Sequence, residues 1–232
     1  MDADVRGAVA RSHLRDLPPD VLETLFAVAM RRRVPAGAVT HWEGEQAPHL
    51  ELVVSGLVRV LVAAPDGRTM TVRYCRPGAM MGALLLFGEH PMPANTQALV
   101  DTELLILSPS VVRGMARRDV RVANAFLGEL SERAARFIYE IHGSAFASVR
   151  QRVARHLLDL ASDRMPLDGA RPQLTVAVSQ RELADAAGTV REVVVRVLRQ
   201  LREEGVIRTT RDHIVILDPD RLVQEQGWNP GS

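Results

Sequence analysis

The sequence predicts an α+β protein: an N-terminal β-roll of the jelly-roll kind, a long dimerisation helix, and a C-terminal winged helix-turn-helix. Three observations carry that expectation. From Val34 to about Leu107, short alternating apolar runs are cut by Gly37, Gly44, Gly56, Gly67, Gly78 and Gly82, the texture of antiparallel strands and turns. From Asp119 to about Phe146 apolar residues recur three and four apart, which is helical spacing. From Ser179 to Gly205 two amphipathic stretches flank a glycine where a helix-turn-helix would need one. The expected domains are residues 1–118, 119–146 (dimer helix and hinge) and 147–232.

Taken in order, the charged start is followed by Pro18-Pro19-Asp20 and a short helical pattern from Val21 to Met30, ending at Arg31-Arg32-Arg33. Within the roll, strands over Leu57–Ala63 and Thr69–Cys75 are joined by Pro65-Asp66-Gly67, a hairpin signal because glycine tolerates the positive φ of such turns. Val120, Ala123, Leu127, Leu130, Ala134, Phe137 and Ile141 then form a seam with a period of about 3.5 residues. A seam of that period favours pairing with a second copy of the helix over lying on the chain's own β-domain. Leu127, Leu130, Ala134, Phe137 and Ile141 are the expected interface residues, and Ser144–Ser148 is the expected hinge. The last domain should hold an amphipathic helix, a polar turn at Pro166–Pro172, a strand LTVAV, two helices, a hairpin of VIRTT and HIVIL, and a segment opened by Asp218-Pro219.

The chemistry is concentrated in SQRELADAAGTVREVVVRVLRQLREEG, Ser179 to Gly205. With Gly188 at the turn, Ala184 falls where two helices cross too closely for a large side chain, and Val194 and Val197 fall on the inner face of the second helix. Ser179 and Glu182 make a capping box for the first helix, and Thr189 is placed to cap the second. Arg191, Glu192, Arg196 and Arg199 are left on the outer side. Arginine can grip guanine O6 and N7 with two bonds and a carboxylate can accept from cytosine N4, so this mixed face suits base reading in a major groove better than phosphate coating. Arg208, Arg211 and His213 of the hairpin suit phosphate contacts from a wing, Arg211 most of all. A helix face used to dock a protein partner is the alternative from a different class; it would bind without a steep salt dependence.

Composition narrows the rest. With 47% hydrophobic and 25% charged residues the chain is globular, and 232 residues suffice for two cores. Every one of the 29 basic residues is arginine, yet the formal net charge is only +1, so any contact with nucleic acid must come from local placement of charge. No apolar run is long enough to span a bilayer and the N-terminus lacks a signal-peptide core, so a cytoplasmic protein with no membrane partner is expected. Cys75 stands alone, too few thiols for an iron–sulfur cluster or a structural zinc site. There is no Gly-rich phosphate loop, no G-x-S-x-G and no clustered histidine ligand pair, and no enzymatic activity is expected.

The stretches GEQAPHLELVVSGLVRV, PGAMMGALLLF and SQRELADAAGTVREVVVRVL, in this order, resemble the cyclic-AMP receptor protein / fumarate-nitrate reduction regulator family over essentially the whole chain. The resemblance implies a cytoplasmic bacterial transcription regulator, a homodimer on palindromic double-stranded DNA, with RNA polymerase as a further partner. It implies base reading by Arg191, Glu192 and Arg196, an operator related to TGTGA-N6-TCACA, and supporting contacts from Ser179, Gln180, Thr189, Arg199 and Arg211. Val190 and Val193 depart from the family's hydroxyl residues at their positions.

The resemblance also implies a cyclic-nucleotide-binding-like roll, and here the departures are larger. Ala83 follows Gly82 where nucleotide-binding members carry a ribose-binding glutamate; His90 to Thr96 contains no phosphate-binding arginine; Phe137-Ile138 replaces an adenine-binding Thr-Ser pair. Cyclic AMP is therefore not expected, since a phosphate without a cation loses several kcal/mol. Met80, Met81, Gly82, Leu84, Met92, Phe137, Ile138 and Ile141, with Leu86 and Phe87 nearby, could line a pocket for an apolar effector or simply fill the core. No cofactor is expected; haem, with Cys75, His90 and His142 as the conceivable ligands, is a third and weaker reading.

Overall fold

The computed structural model describes residues 1–46, 49–64, 67, 69–88, 90–145, 147–164, 173–210 and 213–225. Contacts divide the chain into two units, Met1–Val62 with Val72–Phe137, and Ala63–Thr71 with Ile138–Ser232.

The first unit opens with helices α1 (Ala3–Ala10) and α2 (Pro19–Phe26). Asp2 caps α1 by accepting from the Val5 amide at 3.1 Å, and Val5, Ala8 and Val9 turn inward. Strands β1 (Met30–Val34), β2 (Val39–His41), β3 (Leu50–Ser55), β4 (Val58–Ala63), β5 (Thr69–Cys75), β6 (Met80–Met81), β7 (Asn95–Ala98) and β8 (Thr102–Leu107) follow, with a 3-10 turn at Ala83–Leu85. They form two four-stranded sheets, in the orders β1-β8-β3-β6 and β2-β7-β4-β5. Central β3 is buried on both faces. Its Leu50, Leu52 and Val54 meet α1, α2 and the following helices, whereas Val53 packs with Val58, Cys75 and Ala98 of the other sheet. Strand alternation therefore sends Glu51 between the sheets, where it is fully buried.

Helices α3 (Pro109–Arg118) and α4 (Val120–Ala145) complete this part of the chain. The expected seam describes only half of what α4 does. Val122 and Phe126, on a different stripe, are buried in the unit's own core, and Leu130 packs against it. Val120, Leu127, Phe137 and Ile138 remain exposed, Ala134 with them. The helix thus has one apolar face already covered and a second with no cover among the described residues.

The second unit contains α5 (Val149–Leu160), β9 (Ser162–Arg164), β10 (Gln173–Val176), α6 (Gln180–Ala186), α7 (Arg191–Glu203), β11 (Ile207–Thr209), β12 (Ile214–Ile216) and α8 (Pro219–Glu225). Its sheet runs β11-β12-β10-β9, and its core joins Val153, Leu157, Leu183, Val194, Leu198, Leu201, Ile207 and Leu222. Arg150 of α5 binds Glu204 at 2.7 Å and Glu225 at 2.8 Å, so one guanidinium pins the end of α7 and the end of α8 to the same helix.

Several expectations need correcting. The helix expected over Val21–Met30 stops at Phe26, and Met30 to Val34 is β1, because these residues pair in register with Ile106 to Thr102 of β8 and ladder bonding outweighs local helical spacing. The charged start, to which the sequence reading assigned no element, folds as α1. β9 had no counterpart in the sequence reading; the expected turn at 166–172, like Phe146 of the expected hinge, lies outside the described residues. Among the described residues no helix is long and apolar enough to cross a membrane.

His156 of α5 is 1% exposed, and burial pushes its imidazole from 6.5 down to about 3. Between those values the unfolded chain binds a proton that the folded chain does not, so this contribution to stability is complete above pH 6.5 and is lost as pH falls toward 3. Urea unfolding of the second unit should lose a few kcal/mol across that window. The His156→Gln variant should lose the corresponding pH slope, whatever its stability at neutral pH.

Candidate nucleic-acid interface

A helix-turn-helix is set by how its first helix ends and its second begins. Ser179 caps α6 in a reciprocal box: its hydroxyl accepts from the Glu182 amide at 3.1 Å, and the Glu182 carboxylate accepts from the Ser179 amide at 2.8 Å. At the turn Gly188 adopts φ +60°, a left-handed conformation in which a side chain would be strained, and the Thr189 amide donates back to the Ala184 carbonyl at 3.0 Å. Ala184, Val194 and Val197 are all buried, as the spacing predicts.

Thr189 does not cap the second helix. The N-cap is Val190, one residue later, with no side-chain hydrogen bond to the first turn of α7. The physical reason is the turn itself: Thr189 is already engaged through its amide in closing onto Ala184, and the helical backbone starts only at Arg191.

Sequence reasoning missed what fixes the turn from behind. Arg152 of α5 donates from Nε to the Ala187 carbonyl at 2.8 Å, occupying a helix-end acceptor of α6. The buried His156, one turn further along α5, meets the Ala186 backbone. Both lie on an amphipathic helix that reads as core packing, and only their polarity on its inner side, four residues apart, could have flagged them.

On α7, Val194, Val197, Leu198 and Leu201 are buried while Arg191, Glu192, Arg196 and Arg199 are exposed. At about 100° per residue the four polar side chains fall within an arc of about 140° opposite the buried stripe. Arg191 Nε donates to Gln180 Oε1 at 3.3 Å, so the structure brings together two of the residues singled out from sequence. Arg199 instead pairs with Glu203 at 3.3 Å, both well exposed, a contact worth little against a stronger partner. The β11–β12 turn is closed by Thr210, whose amide donates to the His213 carbonyl at 2.9 Å; Arg208 is exposed on β11, and Arg211 lies outside the described residues.

The candidate effector-pocket residues do not share one environment. Met80 and Leu86 belong to the core facing the helices, Met81 to the core between the sheets, and Met92 is buried. Leu84, Phe87, Phe137 and Ile138 are exposed. Gly82 has φ +79°, and a side chain there would meet the His49 carbonyl at 2.7 Å. Cys75 is buried and His90 exposed, while the side chains of Ile141 and His142 lie outside the described ones. A cluster that sequence reasoning overlooked, His41, His49 and Glu51, sits between the two sheets. The spacing His49-x-Glu51, which puts both residues on one face of an extended chain, was its only visible trace.

Residues 31–119 match the model of the cyclic nucleotide-binding domain and residues 151–225 that of the Crp-like helix-turn-helix domain. The chain is 33% identical over 192 residues to the cyclic AMP receptor protein of Thermus thermophilus, covering 83% of this chain and 86% of that one. It is 36% identical over 196 residues to the transcriptional regulator LdrP of the same organism, covering 79% and 90%. Among solved structures, a CRP-family transcriptional regulator from Thermus thermophilus superposes with a TM-score of 0.69 at 30% identity, covering 85% of this chain and 97% of that one. The c-di-GMP responsive global regulator CLP of Xanthomonas campestris gives 0.72 at 26% identity, covering 86% and 99%. An outward-facing helix braced by α5, in a chain this similar to regulators along most of its length, places the protein in the CRP/FNR family of DNA-binding transcription regulators.

Proposed function

We propose that the protein acts as a homodimer that reads a palindromic operator with α7, under the control of something other than cyclic AMP. The observation that carries the proposal is the exposed face of α7, where Arg191, Glu192 and Arg196 project away from a buried stripe. Inserted in a major groove, the two guanidinium groups would each take a guanine edge and the carboxylate a cytosine amine. Ser179, Gln180, Thr189 and Arg199 flank that face, and Arg208 and Arg211 would follow the backbone. Two such helices need consecutive major grooves about one turn apart, hence an operator with two-fold symmetry. RNA polymerase is the partner such a complex would meet beside a promoter.

The dimer is supported by the uncovered stripe of α4: Leu127 is 58% exposed, Phe137 51% and Ile138 66%, a row that a monomer would leave in water. Leu130, Ala134 and Ile141 would continue the contact. Residues 144–148 would serve as the joint between the dimer helix and the reading domain formed by residues 147–232.

The absence of cyclic AMP from this scheme is supported by where the polar groups of the roll are used. A nucleotide phosphate would need donors from His90 to Thr96 and the start of β7. There Asn95 accepts from the Glu43 amide at 2.9 Å, Thr96 pairs with Thr40 at 2.5 Å, and Gln97 holds Arg59 and the Gly37 carbonyl. Ala83, where a ribose-binding carboxylate would be needed, is 5% exposed and has none to offer. The residues present do not fit the nucleotide.

The Arg191→Ala variant should lose about 1–3 kcal/mol of operator binding and relax selectivity at one base position, read by mobility shift on a panel of single-base operator variants. Unchanged affinity and selectivity would end the base-reading assignment, and binding that is insensitive to salt would favour a protein-docking role for α7. The Phe137→Asp variant should sediment as a monomer and lose preference for the two-fold site over a single half-site. A Phe137→Asp protein that stays dimeric would remove α4 from the interface.

A further inference from the structure

We propose that His41, His49 and Glu51 form a binding site for one divalent transition-metal cation, of the zinc or iron(II) class, between the two sheets of the first unit. The proposal is independent of how α7 reads DNA. His41 ends β2 in one sheet, Glu51 is the second residue of β3 in the other, and His49 directly precedes β3. One ligand atom from each lies within 4.8 Å of the others. Glu51 faces His41 Nδ1 at 3.3 Å through one carboxylate oxygen and His49 Nε2 at 3.2 Å through the other. Those separations are close to the edge of about 3.3 Å spanned by two ligands of a tetrahedral ion with bonds of about 2.0–2.1 Å.

Burial is what distinguishes this cluster from an ordinary surface group. The His41 and Glu51 side chains are 0% exposed, and both His41 Nε2 and Glu51 Oε2 are buried without a hydrogen-bond partner among the described residues. A buried carboxylate whose lone pairs are met only by imidazole rings is short of positive charge. Arg32 supplies some of it from 3.9 Å, but its side chain is 47% exposed and can leave for solvent when a cation arrives. His49, 24% exposed, gives the ion a way in. Two imidazoles and one carboxylate favour a first-row transition ion over calcium or magnesium, which take oxygen ligands. Three protein ligands also leave a position open for water.

The site lies against the segment that in this fold precedes the 3-10 turn. Glu51 is in register with Met81 of β6, and the His49 carbonyl abuts Gly82. An ion drawing His41, His49 and Glu51 together would thus fasten one sheet to the other beside Met80–Gly82.

Metal-free, tag-free, full-length protein titrated with cobalt(II) should take up one ion per chain, seen as visible d–d bands and in native mass. Equimolar zinc(II) should displace it and raise the midpoint of thermal unfolding. In His49→Ala, a change at a partly exposed side chain, affinity should fall by about 100-fold or more, beyond the loss typical of removing a merely supporting partner. Glu51→Gln should do the same, and His90→Ala should change nothing. No stoichiometric uptake by the wild type, uptake that survives His49→Ala, or uptake that His90→Ala abolishes would each overturn the site.

Discussion

Everything α7 can do outward depends on how tightly its start is held inward. The turn between α6 and α7 is gripped from three sides: Ala184 lets the helices approach, Gly188 reverses the chain at φ +60°, and Arg152 of α5 holds the Ala187 carbonyl from behind. A guanidinium bonded to a helix-end acceptor fixes a direction in a way that apolar packing alone does not, because the bond weakens steeply with angle. Arg150, two residues before Arg152 on the same helix, ties the far end of α7 through Glu204. Both ends of the helix are thereby referred to α5, and the exposed arc carrying Arg191, Glu192 and Arg196 inherits that stiffness. The proposed base contacts through paired hydrogen bonds would tolerate little misplacement, so this bracing would matter as much as the side chains themselves.

α4 meets a different demand. A helix lying against its own sheet needs one apolar face and a helix pairing with a copy of itself needs another, and α4 carries both. Val122 and Phe126 serve the first and are almost fully buried; Leu127 and Phe137 lie on the second and stay in water within a single chain. Covering only the first face would leave a row of large apolar groups exposed along a helix of 26 residues. One face packs into the chain's own core through Val122 and Phe126, and the other would be free to meet a second copy, so the two arrangements are compatible.

What was legible in the sequence follows from how local the determining physics is. Ser179, Glu182, Ala184, Gly188, Val194 and Val197 could be placed because caps, turns and helix crossings are fixed by residues a few positions apart. The hairpin bounded by Val58–Ala63 and Thr69–Cys75 was legible for the same reason. Met30 to Val34 was not: three arginines after a helical pattern say nothing of β8, some seventy residues on in the chain, whose ladder claims them. Nor was the polar grouping at His41, His49 and Glu51, since two strands from different sheets bring it together. On α7 the polar arc was visible, but the role of Arg152 was not, because it rests on a carbonyl 35 positions away.

The interior of the roll has a corresponding asymmetry. On one face of β3, Leu50, Leu52 and Val54 meet helices through contacts that no change of charge can disturb. On the other, Glu51 is fully buried among His41, His49 and the half-exposed Arg32 at 3.9 Å, and the attraction holding it there depends on positive charge being supplied. Burial by itself would raise the Glu51 carboxyl, yet the adjacent His41 and His49 imidazoles more than offset it and hold the group down to about 2, so the carboxylate stays ionised. An apolar residue at Glu51 would bind the sheets at less desolvation cost. The carboxylate instead places a buried charge between the sheets, beside Met80–Gly82, where it needs cationic or hydrogen-bonding partners.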